Sequence, residues 1–244
     1  MQAKASQIVK EICQALEFLS IQEKREFFPK FFKAGKGEYA EGDQFLGVTV
    51  PDQRKVAKEF WKQISLDDLS FLLHSPIHEH RLTALLMLIS KYEKEKIAAE
   101  RKVLLDFYLA HRKFVNNWDL VDTSCYKILG NYCFSIQDNS IIYNLSVEEN
   151  MWSKRIAVIA TLYFIKQNQF ELTKDIVLKN IHHPHDLMHK ANGWMLREIG
   201  NRNENELITF LNSHYHKMPR TCLRYAIEKL DEPTRQDFLK GRVK

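Results

Sequence analysis

Cysteine is sparse in this 244-residue chain, and no two cysteines are close. Cys13, Cys125, Cys133 and Cys222 form no CxxC pair and sit among apolar neighbours. That excludes a CxxC redox motif and reads as reduced, buried thiols in a cytosolic protein. Long apolar runs are missing too. No stretch approaches the ~18 residues that would span a bilayer, so no membrane partner is expected. The N-terminal "MQAKASQIVKEICQALEFLS" mixes charges into an amphipathic pattern and lacks the continuous apolar region of a signal peptide. Alternating β-type runs are absent, which leaves helices. "GKGEYAEG" lacks the GK[ST] ending of a P-loop, and no GxSxG, GxGxxG or HExxH occurs. No metal and no organic cofactor is expected.

Glycine is scarce as well. Four of the eight glycines, Gly35, Gly37, Gly42 and Gly47, fall in one stretch, "KAGKGEYAEGDQFLGVTVPD". This is the one clear non-helical segment. Ahead of it, Ser6 to Phe32 reads as two amphipathic helices. Behind it, apolar residues recur at three- and four-residue spacing almost to the end. Pro51, Pro76, Pro184, Pro219 and Pro233 stand near helix starts, where a missing N–H does no harm. The expectation is an all-α chain forming one domain, 1–244. It divides into N-terminal helices at 1–34, a glycine-rich connection at 35–50 and stacked helical repeats at 51–240.

The repeats show in four segments: "SPIHEHRLTALLMLISKY", "EENMWSKRIAVIATLYFI", "HPHDLMHKANGWMLREIG" and "SHYHKMPRTCLRYAIEKL". Each has a polar lead-in, a basic residue and an apolar helix. The basic residues are Arg81, Arg155, Lys190 and Arg220, and Trp118 lies midway between the first two. Spacings in this range suit antiparallel helix pairs of the HEAT type, stacked into a right-handed solenoid with a concave basic face. One turn after each aligned position come Leu85, Asp122, Ile159, Trp194 and Arg224. A column of cations spaced by repeats suits a phosphate backbone. The same cations also suit plain solvated helix ends. Net charge is +5, and residues 151–244 hold 16 Lys and Arg against 10 Asp and Glu, so the excess is C-terminal.

"NNWDLVDTS" raises the chemical question. Trp118 and Asp122 are four apart and share one helix face. With the arginine of "MWSKRIAVIATL", the tryptophan of "HKANGWMLREIG" and the segment "FLGVTVPDQRKVAKEF", the stretch resembles the AlkD-like DNA alkylation-repair glycosylases, from about Phe28 to about Leu230. The resemblance implies a HEAT-like solenoid acting on alkylated double-stranded DNA. It assigns catalysis to Asp122, Trp118 and Trp194, and a phosphate contact to Arg155. Lys190, Arg81, Arg220 and Arg224 extend the DNA-binding set by their repeat positions. Asp119 lies outside the family's motif and reads as a surface or capping group, and no DNA contact is assigned to Tyr39 or Phe45. "HHPHDLMH" reads as a polar lead-in to a helix.

The implied reaction is hydrolysis of the N-glycosidic bond of cationic N3- or N7-alkylated purines by a monofunctional, cytoplasmic, monomeric enzyme, without base flipping. Two other readings fit the residues. One is a solenoid that binds distorted or branched DNA without excision. The other is a protein-binding HEAT scaffold, with Trp118 and Trp194 as interface anchors or core.

Overall fold

The computed structural model describes residues 5–242, so the first four and last two positions of the expected domain lie outside it. Every named element is helical, and no strand occurs among the described residues. An isolated parallel bridge joins Gln44 and Ile77. No helix is long and apolar enough to cross a membrane. The chain divides into two compact units, Met1–Ser124 and Cys125–Lys244.

The first unit contains α1 (Gln7–Phe18), α2 (Gln22–Phe31), α3 (Val50–Phe60), α4 (Leu66–Leu73), α5 (His78–Lys94), α6 (Ala98–Ala110) and α7 (Trp118–Cys125), whose last residue already belongs to the second unit. The capping chemistry of the sequence explains most starts. Ser6 accepts from the Val9 N–H at α1, and Thr49 from that of Asp52 at α3. Ser65 and Asp68 close a reciprocal capping box at α4. Pro51 occupies the first turn of α3, as expected. Pro29 falls inside α2, a placement the other prolines avoid. α5 is the centre of this unit and packs against α1, α3, α4 and α6. Leu82, Leu85, Met87 and Leu88 are fully buried, and the polar residues of its first turn, His78, Glu79, His80 and Arg81, are buried too.

The second unit begins with a π-helical turn, Tyr126–Gly130. It continues through α8 (Asn131–Ile136), α9 (Ser140–Val147), α10 (Met151–Ala160), α11 (Leu162–Lys166), α12 (Glu171–Asn180), α13 (Asp186–Arg202), α14 (Glu204–His214), α15 (Arg220–Ala226) and α16 (Glu232–Lys240). α13 plays the part that α5 plays in the first unit, packing against α10, α11, α12, α14 and α15. Its tightest neighbour is α15. A Cβ on Gly193 would lie 2.4 Å from the Cys222 carbonyl oxygen and 2.5 Å from the Tyr225 Cβ. Only glycine lets the two backbones come this close.

The glycine-rich stretch is non-helical from residue 35 to residue 49, where α3 follows, and its function in the fold is specific. Gly47, at φ +84°, places three consecutive N–H groups, those of Leu46, Gly47 and Val48, on the buried carboxylate of Glu79 at 2.8–3.2 Å. The N–H of Gln44 donates to the Pro76 carbonyl at 2.9 Å, and the N–H of His78 donates to the Gln44 carbonyl at 2.8 Å. This loop therefore locks the start of α5.

Candidate functional site

Trp118 opens α7, and its backbone N–H donates to the Asn117 side-chain oxygen at 2.8 Å. The indole is half-buried. It stacks on Phe32 with ring centroids 5.6 Å apart and 25° between planes, and it meets Phe31 edge-on at 6.0 Å. Phe32 in turn stacks on Phe45 at 5.3 Å and lies against the His78 ring at 4.8 Å. The aromatic layer beneath Trp118 is thus built by α2, the glycine-rich loop and α5.

That layer rests on a buried charge network. The His78 Nε2 is 2.7 Å from the Asp119 carboxylate, and its Nδ1 is 3.3 Å from that of Asp43. Burial alone would drive the imidazole toward neutrality. The charge and hydrogen bond of Asp119, with the Asp43 bond, outweigh it and raise its pKa to about 9. Burial likewise works to raise the Asp43 pKa, but His78 and Arg81 win and lower it. Asp119 also accepts its neighbour's backbone N–H, that of Leu120, at 2.8 Å. It is buried, which corrects its reading as a surface group. Phe45 is core as well.

Of the two carboxylates on α7, Asp119 is therefore turned into the protein, while Asp122, one turn after Trp118, is half-buried. Arg81 requires a further correction. It was expected among surface cations, yet it is 4% exposed. Its guanidinium donates to Asp43 at 2.7 Å and to the carbonyls of Ser75 and Pro76 at 3.0 and 3.3 Å. Moving it to a phosphate would break the Asp43 pair and leave that buried carboxylate only its longer contact with His78, which argues against Arg81 as a DNA contact.

In the second unit, Arg155 is also 4% exposed, against the expectation of a solvent-facing cation. Its guanidinium donates to the carbonyl of Leu187 in the first turn of α13. Trp194, half-buried on α13, donates its indole N–H to Glu198, one turn later, at 3.0 Å. Lys190 pairs with Asp186 at 2.7 Å across one turn of the same helix. Arg220 is exposed and donates to the Leu239 carbonyl at 2.8 Å, and Arg224 is exposed one turn further along α15.

Three of the four aligned basic residues share one helical turn: Arg81 is the fourth residue of α5, and Arg155 and Lys190 are the fifth of α10 and α13. Arg220 departs from them by opening α15. The histidine-rich lead-in serves α13 as expected. His185 accepts the Leu187 N–H at 3.1 Å, His183 accepts the His185 N–H at 3.1 Å, and His189 bonds the His183 carbonyl at 2.6 Å.

A family model described as "DNA alkylation repair enzyme" matches residues 12–230. The chain belongs to the DNA alkylation repair enzyme family. Among solved structures, this family member is similar to one described as a predicted DNA alkylation repair enzyme from Enterococcus faecalis. The two share 16% identity over 89% of this chain and 99% of that one, with a TM-score of 0.67. At that identity the likeness speaks for the fold. No curated protein matches.

Reading the sequence missed the His78–Asp119–Asp43–Arg81 network and the phenylalanines under Trp118. The available signal was "HEHR", four polar residues opening an otherwise apolar helix. Surface helices do not usually start so; a buried first turn with partners elsewhere does.

Proposed function

We propose that the protein hydrolyses the N-glycosidic bond of cationic N3- or N7-alkylated purines in duplex DNA. The carrying observation is on α7. Of its two carboxylates, one is held in a buried ion network and the other, Asp122, is only half-buried, one turn from a half-buried tryptophan that is stacked on an aromatic layer. The membership of the family, which matches nearly the whole chain, supports the same reading.

The chemistry follows from charge. Alkylation at N3 or N7 makes the purine cationic and a good leaving group. Its departure leaves positive charge on the deoxyribose, as in other glycoside hydrolyses. A fixed carboxylate beside the anomeric carbon stabilises that charge more than it stabilises the ground state, and only such differential binding accelerates the step. Asp122 takes this role and orients the attacking water. The leaving base carries its own charge, so one carboxylate suffices. Trp118, one turn from Asp122, presents its π-face to the developing cation and to sugar C–H groups; the resemblance to the glycosylases assigns the same kind of contact to Trp194. The Trp194 indole N–H is already held by Glu198, which fixes its ring plane.

Arg155 takes a phosphate, with the two-pronged geometry that lysine cannot copy. At its present burial this requires a side-chain shift on binding DNA. Lys190, Arg220 and Arg224 add to the electrostatic footprint. We take the protein to act as a monomer, without metal or cofactor and without flipping the base into a pocket.

The test is incubation with duplex DNA containing 7-methylguanine. Free base and an alkali-labile abasic site are expected. Salt-sensitive binding without base release would favour a non-catalytic DNA-binding module. No salt-sensitive DNA binding at all would favour a protein scaffold.

A further inference from the structure

The second unit holds a small cleft of about 140 Å³ lined by Arg220, Arg224, Arg235, Ile227 and Leu239. Three of its five lining residues are arginines, and no carboxylate lines it. Arg235 belongs to α16, beyond the residues matched by the family model, which stop at 230. The cleft is therefore built partly by sequence outside the matched region.

Each arginine is differently committed. Arg220 is anchored through its bond to the Leu239 carbonyl, which closes α15 onto the end of α16. Arg224 is exposed and forms no ion pair among the described residues. Arg235 pairs with Glu232 at 2.8 Å, but both side chains are well exposed, at 37% and 61%, so that pair holds it weakly. The Arg235 Nε has no hydrogen-bond partner. Swinging this guanidinium toward an anion therefore gives up no bond at that atom.

Arg220 and Arg224 line this concavity with no carboxylate among its lining residues, and Arg235 is compensated only through its exposed pair with Glu232. Guanidinium forks match the paired oxygens of a phosphate in a two-pronged geometry, as they do those of a carboxylate. We propose that this cleft seats one phosphodiester of the DNA backbone, with Arg220 as the fixed wall and Arg224 and Arg235 as the arms that close on it. The inference rests on the duplex-binding half of the function proposed above, not on its chemistry. It gives α16 a purpose beyond packing, as the anchor that fixes the duplex by its backbone alone.

The experiment measures affinity for an undamaged labelled duplex against salt concentration, using the full chain, Arg224→Gln, Arg235→Gln and the double variant. Circular dichroism melts confirm that each is folded, and Arg224→Lys serves as the charge-retaining control. Losing one phosphate contact flattens the slope of log K against log salt by about 0.9. Between 50 and 200 mM salt the double variant then loses roughly three- to fourfold less affinity than the wild type, starting from weaker binding. Arg224→Lys should keep most of the slope. If both single variants and the double retain the wild-type slope, the proposal is overturned. It is overturned equally if inorganic phosphate alone binds the wild type, fails to bind the variants, and the duplex slopes do not differ, because the seat then serves a free anion. Base release from damaged duplex by the wild type, run in parallel, separates the two ideas. Flattened slopes without base release leave the seat standing and remove the glycosylase. Base release with unchanged slopes does the reverse.

Discussion

The buried imidazolium of His78 makes the stability of the first unit depend on pH in a defined window. With its pKa raised to about 9, from 6.5 in the unfolded chain, the folded protein binds a proton more tightly there than the unfolded chain does. The stabilisation is fully present below about pH 6.5. It is lost as pH rises through about 9, because only the folded state still holds the proton across that interval. At 1.36 kcal/mol per pKa unit, the change from 6.5 to about 9 corresponds to an upper bound of roughly 3 kcal/mol. Mid-window, around pH 7.5–8.5, the free energy of unfolding should fall by about 1.4 kcal/mol per pH unit from this group alone.

The assay is urea denaturation at pH 6, 7, 8 and 9 for the wild type and His78→Gln. Subtracting the variant from the wild type removes groups common to both. The variant leaves Asp43 and Asp119 with less compensation, so it should be less stable at pH 6 and converge toward the wild type by pH 9. A difference that stays flat from pH 6 to 9 would refute the reasoning, since His78 would then not be protonated between its carboxylates. The consequence reaches the site, because Asp119 and the Phe32 layer position the first turn of α7 and with it Trp118.

Other perturbations have equally definite outcomes. Gly193→Ala forces a Cβ to 2.4 Å from the Cys222 carbonyl; α13 and α15 must separate, costing on the order of 1–3 kcal/mol, seen as a lower melting temperature and altered Trp194 fluorescence. Glu79→Ala removes the acceptor of three N–H groups. It should cost roughly 3 kcal/mol and speed hydrogen exchange at Leu46, Gly47 and Val48. Arg155→Ala should weaken duplex binding and also lower thermal stability, because the bond to the Leu187 carbonyl goes with it; binding lost at unchanged stability would assign the arginine to DNA alone.

Much of the fold can be read from local chemistry. Ser6, Thr49 and Ser65 cap the helices that follow them, Pro51 and Pro233 lie in first turns, and the glycine cluster marks the non-helical stretch. The i, i+4 spacing of Trp118 and Asp122 places both on α7 without any tertiary information. What stayed hidden depends on partners far along the chain. Arg81 looks like a surface cation until Asp43, 38 residues earlier, is folded against it. Asp119 looks like a helix-surface acid until His78 reaches it from 41 residues away. Arg155 is drawn inward by a backbone carbonyl, a kind of partner that leaves no mark in residue identity. Helix periodicity says which face is apolar; it does not say which charged residue has found a buried counter-charge.

The central claim is that Asp122 stabilises the sugar cation as the damaged base departs. The most direct measurement is single-turnover base release from 7-methylguanine duplex by wild type and Asp122→Asn at protein concentrations that saturate the DNA. The account expects release by the wild type and a rate lower by about 10² or more in the variant, with duplex affinity retained. Release by Asp122→Asn at the wild-type rate would contradict it.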